Sequence, residues 1–79
     1  MIKFTRHAME RISDRNIKID DVINCLVSLD KVLTDKFGNK IAQKKKDNYL
    51  LRVIFRKNND EILVITAYIT SKLKKYEGK

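Results

Sequence analysis

The chain has 79 residues, with 18 Lys+Arg against 10 Asp+Glu and a formal net charge of +8. That length holds one domain, residues 1–79, because a second core would have too little chain. No apolar run approaches the roughly 20 residues that span a bilayer, Met1-Ile2-Lys3-Phe4 lacks the apolar stretch of a signal peptide, and one His with one Cys makes neither a disulfide nor a His/Cys zinc site. The expectation is a cytoplasmic protein with no membrane segment, no metal and no cofactor.

Thr5 has the side chain of an N-cap, and Arg6 to Arg15 reads as a first helix with Ala8, Met9 and Ile12 as its apolar stripe. Asn16 is suited to end it in the left-handed conformation. Asp20 or Asp21 then caps a second helix, Val22 to Leu29, which is apolar around most of its circumference and should be the more buried of the two. After Asp30 the period changes from helical to alternating. Strands are expected over Lys31–Lys36, Lys40–Lys46, Tyr49–Lys57 and Glu61–Ser71, with turns at Phe37-Gly38-Asn39, Asp47-Asn48 and Asn58-Asn59-Asp60. The tail Lys72–Lys79 starts a short helix or frays. Short turns between strands imply an antiparallel meander. The expected fold is α+β: two N-terminal helices packed on a four-stranded antiparallel sheet, in the order ααββββ.

The two faces of the expected sheet differ. Leu51, Val53 and Phe55 share one face with Leu63, Ile65, Ala67 and Ile69, and this apolar set should lie under the helices. The other face carries Leu50, Arg52, Ile54 and Arg56, then Ile62, Val64, Thr66, Tyr68 and Thr70. Taken singly, its polar residues suit a wetted sheet surface, with Thr and Tyr favoured by β-propensity. Taken together, they suit a shallow groove in which Arg, hydroxyls and phenol meet phosphate and base, rimmed by Lys44, Lys45 and Lys46.

His7, Arg11 and Arg15 stand at i, i+4 and i+8, on one side of the first helix at the edge of its apolar stripe. Three potentially cationic groups so stacked repel one another, and an anion between them would relieve the repulsion. Pairing with Asp14, Asp20 or Asp21 would do the same. His7 is the single histidine, so any imidazole chemistry uses it. The charge is uneven: residues 1–30 hold five basic groups and five acids, whereas residues 31–79 hold thirteen and five. A polyanionic partner is favoured, met by the C-terminal portion.

The run His7-Ala8-Met9-Glu10-Arg11-Ile12-Ser13-Asp14-Arg15-Asn16-Ile17, then Asp21-Val22, Asp35-x-x-Gly38, Leu51-Arg52-Val53-Ile54 and Val64-Ile65-Thr66-Ala67-Tyr68, follows one ordered pattern. It resembles a small family, a domain of unknown function, with the pattern H-A-x-x-R-x-x-x-R-G-I…D-V…D…G…L-R-V-V…V-I-T-V-Y. Asn16 replaces its Gly and Ala67 its Val. The family is commonly grouped by fold with RelE/ParE/BrnT-like toxins and barnase-type ribonucleases. The resemblance therefore implies a small basic endoribonuclease, often a toxin held by a cognate antitoxin.

The chemistry expected is metal-independent transesterification. The RNA 2′-hydroxyl attacks the adjacent phosphate, giving a 2′,3′-cyclic phosphate and a 5′-hydroxyl, and this needs a base, an acid and cations at the phosphorane. His7, Arg11, Arg52 and Tyr68 are the candidate catalytic residues. Arg15, Lys44, Lys45, Lys46, Arg56, Thr66 and Thr70 are the candidate RNA-binding residues. The partners expected are RNA, an antitoxin and, if the last strand lies at an edge, a second copy of the chain. The alternatives are a non-catalytic nucleic-acid-binding module and a protein-interaction component.

Overall fold

A computed structural model describes residues 1–27, 31–46 and 49–71, with backbone alone at Lys31 and Lys46. The order of elements is β1 (Ile2–Phe4), α1 (Arg6–Asp14), α2 (Ile19–Val27), β2 (Lys31–Thr34), β3 (Lys40–Lys46), β4 (Tyr49–Asn58) and β5 (Glu61–Thr70). Thr5 caps α1, its Oγ1 accepting from the Ala8 N–H at 3.0 Å. Asn16 follows at φ 54 and ends the helix in the left-handed region. The second helix begins earlier than expected, at Ile19, so Asp20 and Asp21 sit in its first turn, where the helix dipole favours acids. The expected end of that helix at Leu29, the turn Asp47-Asn48 and the tail Lys72–Lys79 lie outside the described residues.

The expected four-stranded antiparallel sheet is corrected. Among the described residues the strands form one five-stranded mixed sheet in the order β1-β5-β4-β3-β2. The antiparallel meander is present from β2 to β5, but β1 precedes the helices and joins β5 in parallel, with Ile2 opposite Ile62 and Phe4 opposite Val64. The Ile62 N–H donates to the Met1 carbonyl at 2.9 Å, and the Thr5 N–H donates to that of Val64 at 3.0 Å. Local pattern could not announce β1. Three residues carry almost no periodicity, and their partner lies about 60 residues along the chain.

A second correction concerns the faces of β5. Ile54 opposes Thr66, but the next residue, Phe55, opposes Val64, so Ile65 is an extra residue that breaks the alternation. Beyond this bulge Val64 and Ile62 turn to the helix side in place of the expected Ile65 and Leu63. Val64 is fully buried, while Leu63 is 37% exposed. Ala67 keeps its expected place opposite Val53 in the core.

Both helices cover one face of this sheet. Ala8 and Ile12 from α1, and Val22, Cys25 and Leu26 from α2, pack on Ala42, Leu51, Val53, Phe55, Val64 and Ala67. The Val, Leu, Ile and Phe side chains among them each contribute roughly 1.5–3 kcal/mol on burial. Cys25 belongs to this core, and its thiol lies 3.6 Å from the Ala42 carbonyl oxygen. The strand once open to edge pairing, β5, is internal to the sheet along its paired length. Past the end of β1, side chains meet its outward carbonyls: Thr5 Oγ1 donates to Ile65 at 3.3 Å, and Arg15 Nη1 to Ala67 at 2.8 Å.

Candidate functional site

The face opposite α1 and α2 is covered by no helix among the described residues, and this helix-free face is built in rows by the register. Gln43 pairs with Arg52 and Arg52 with Tyr68, placing three polar side chains side by side across β3, β4 and β5. One flanking row is apolar, running Leu33, Ile41, Ile54 and then Thr66. The other runs Lys45, Leu50 and Thr70. The polar row does not behave as a wetted surface. Arg52 is only 7% exposed and Gln43 only 3%. A buried guanidinium is costly unless it is held by partners. Here its Nη1 donates to the Tyr68 hydroxyl at 2.5 Å, and the guanidinium lies 5.6 Å from the centre of the same ring. Beside it the Gln43 Oε1 is buried and has no hydrogen-bond partner among the described residues, so the centre of this face holds an acceptor that the described strands do not satisfy.

The candidate binding residues divide around that centre. Lys45 and Thr70 stand in the adjoining row, and Thr66 lies on the other side. Arg56 is exposed on the same face, and its Nε donates to the Asn39 Oδ1 at 2.7 Å. Lys44 is placed differently. It pairs with the core residue Leu51, so it faces the helix side, where it lines a cavity of about 220 Å³ with Asp21, Asn24 and Leu51. It does not rim the face that carries Arg52. The strand backbone at Lys46 pairs with Tyr49, while its side chain lies outside the described residues.

The helix-one residues lie on the other side of the sheet. His7 and Arg11 are exposed, and Arg11 Nε donates a long hydrogen bond of 3.4 Å to His7 Nε2, using the imidazole lone pair. Arg15 is the C-cap residue of α1, and one of its nitrogens is engaged by the Ala67 carbonyl. The four candidate catalytic residues therefore fall into two pairs, His7 with Arg11 and Arg52 with Tyr68. The core pair Val53–Ala67, next in register to Arg52–Tyr68, faces the helices, so the sheet separates the two pairs.

Sequence reasoning named neither Gln43 as a site residue nor the tie between Arg56 and the β2–β3 turn. Gln43 had a visible signal, as a polar residue at the centre of the face shared with Ile41 and Lys45. The turn also had one, Asp35-x-x-Gly38-Asn39. The Asp35 carboxylate accepts from the backbone N–H groups of Phe37 at 2.9 Å and Asn39 at 2.8 Å. Burial pushes the Asp35 pKa up, but those two N–H groups, the Asn39 amide and the Arg56 charge outweigh it and hold the carboxyl below its ordinary value. Among the described residues no three of His, Cys, Asp and Glu cluster as metal ligands would, and no helix is long and apolar enough to cross a membrane.

A family model described as a domain of unknown function, DUF4258, matches residues 4–69, and the chain belongs to that family. The matched span takes in His7, Arg11, Gln43, Arg52 and Tyr68 and stops one residue short of Thr70. The match carries no link to RelE/ParE/BrnT-like toxins or to barnase-type ribonucleases. No curated protein and no solved structure matches the chain.

Proposed function

We propose that this protein acts on RNA through the helix-free face of its sheet, as a metal-independent endoribonuclease centred on Arg52 and Tyr68. One observation carries the reading: a guanidinium that is 7% exposed is held against a tyrosine hydroxyl in the middle of a sheet face. Folding alone favours apolar side chains there. A fixed cation beside a hydroxyl is instead what a phosphorane needs, because charge develops on its oxygens and the donors are already aimed. In this scheme the Arg52 guanidinium stabilises the phosphate as the 2′-hydroxyl attacks, and Tyr68 serves the leaving oxygen. Tyr68 gives its hydroxyl proton to the leaving 5′-oxygen, a water molecule takes the proton of the attacking 2′-hydroxyl, and that proton returns to the tyrosinate through solvent, so the protons balance over the step. Lys45, Thr66, Thr70 and Arg56 bind flanking phosphates. The net charge of +8 gathers the polyanion.

The test is incubation of the purified chain with RNA in EDTA, followed by identification of the ends. Products with a 2′,3′-cyclic phosphate and a 5′-hydroxyl support the proposal, and uncut RNA overturns it. The toxin role is a finer proposal resting on the resemblance; arrested growth on expression, relieved by a co-encoded partner, checks it. A second reading is favoured by the separation of His7 and Arg11 from Arg52 and Tyr68: RNA binding without cleavage. It expects steeply salt-dependent binding and intact RNA.

A further inference from the structure

The turn between β2 and β3 holds a residue that chemistry at Arg52 does not use. Phe37 is 75% exposed. An aromatic side chain left in water forgoes roughly 1.5–3 kcal/mol of burial, and here the exposure is fixed rather than incidental. The turn is locked from inside. Asp35 N–H donates to the Asn39 carbonyl at 2.8 Å, and Gly38 N–H to that of Asp35 at 3.2 Å. The Asp35 carboxylate holds two further backbone N–H groups and meets the Asn39 amide at 3.3 Å. Gly38 takes φ 84, which a side chain would strain. The turn is also tied to the sheet by Arg56, whose side chain belongs to the helix-free face. The ring is thus presented on a stiff support at the end of the face already assigned to RNA.

Its surroundings decide what it meets. Lys36 Nζ lies 5.4 Å from the Phe37 ring centre, and the exposed Arg56 is tied to Asn39, two residues along the turn. The acid of the turn itself, Asp35, is turned inward onto the backbone. An exposed ring edged by cations matches a partner that offers flat π-faces at intervals along a chain of negative charge. An apolar protein surface would have to strip water from those cations for no return.

We propose that Phe37 is a stacking platform for an unpaired base of single-stranded RNA, with Lys36 and Arg56 meeting the adjacent phosphates. The inference rests on the RNA reading of the helix-free face and adds a contact at its end. Stacking is blind to base identity, so this contact sets affinity and placement rather than sequence.

The experiment uses the whole chain, Phe37→Leu and Phe37→Trp, with a short single-stranded RNA as the probe. The natural sequence has no tryptophan, so Phe37→Trp reports only from the turn. The ring is exposed, and both variants should keep the wild-type circular dichroism. Expected results are quenching of the Phe37→Trp fluorescence on RNA addition and binding by Phe37→Leu about tenfold weaker at an unchanged salt slope. An RNA with abasic sites should bring wild type and Phe37→Leu together. Wild-type binding by Phe37→Leu, with fluorescence unmoved by bound RNA, would overturn the stacking inference and leave the RNA reading standing. Failure of every form to bind RNA overturns the RNA reading itself. Normal RNA binding by Phe37→Leu with a smaller mass in solution than wild type would show a second copy at the ring, and would also overturn stacking.

Discussion

Residues 51 to 55 alternate between two environments one residue at a time. Leu51, Val53 and Phe55 face the helices and are buried among other apolar side chains. Arg52, between them, faces the other way and is nearly as buried, next to Gln43 and Tyr68. The first environment is explained by folding, since apolar area removed from water stabilises in proportion. The second is not, because a buried charge and an unmet amide oxygen oppose folding. The difference teaches that burial energetics account for one face of β4 and not for the residues at the centre of the other. It also separates the Arg52–Tyr68 pair, with its buried Arg52 and half-buried Tyr68, from the His7–Arg11 pair, whose exposed side chains cost the fold little.

Substitutions on the two faces should break the comparison if it is wrong. The largest effect expected is on the helix side: Phe55→Ala should cost about 3–5 kcal/mol of stability in urea titration, and a loss below 1 kcal/mol would show that this face is not the core. Next comes Arg52→Met, which keeps the bulk and removes the charge. Stability should stay level or rise, while RNA cleavage should fall by about 100-fold or more; a fall in both together would make Arg52 a structural residue. A smaller effect concerns acid. The fold lowers the Asp35 pKa from its ordinary 3.8, so its contribution is present above that range and disappears as pH falls through the lowered value. Asp35→Ala should flatten that part of the pH–stability curve, and an unchanged curve would exclude the turn as its source. Smallest of all, His7→Ala should leave RNA cleavage within about twofold. A large loss would reunite the two pairs in one centre and undo the contrast.

Much of this was legible where the physics is local. Thr5 as a cap, Asn16 as a stop and β3 over Lys40–Lys46 follow from side-chain chemistry and alternation within a few residues. Two features were not. The parallel partnership of β1 depends on residues at the far end of the chain, and the bulge at Ile65 inserts one residue into a pattern that still reads as regular. An alternation carried through the bulge assigns Leu63 and Val64 to each other's faces. For the candidate site, alternation placed Arg52, Tyr68, Thr66 and Thr70 together because Thr66, Tyr68 and Thr70 lie on the C-terminal side of the bulge, where β5 keeps its regular register opposite Arg52. It could not show that His7 stands across the sheet, because that depends on which face α1 covers.

The parallel pairing of β1 with β5 has a consequence for synthesis. Residues 2–4 are made about 60 residues before their strand partner, 62–64, and α1 rests chiefly on that same later strand. Neither the first strand nor the first helix has its surface to settle on until β5 has emerged. Until then the apolar side chains of β1 and α1 lack that surface, and assembly waits on one long-range closure. The row that joins Gln43, Arg52 and Tyr68 across three strands is likewise completed only once β5 has been made.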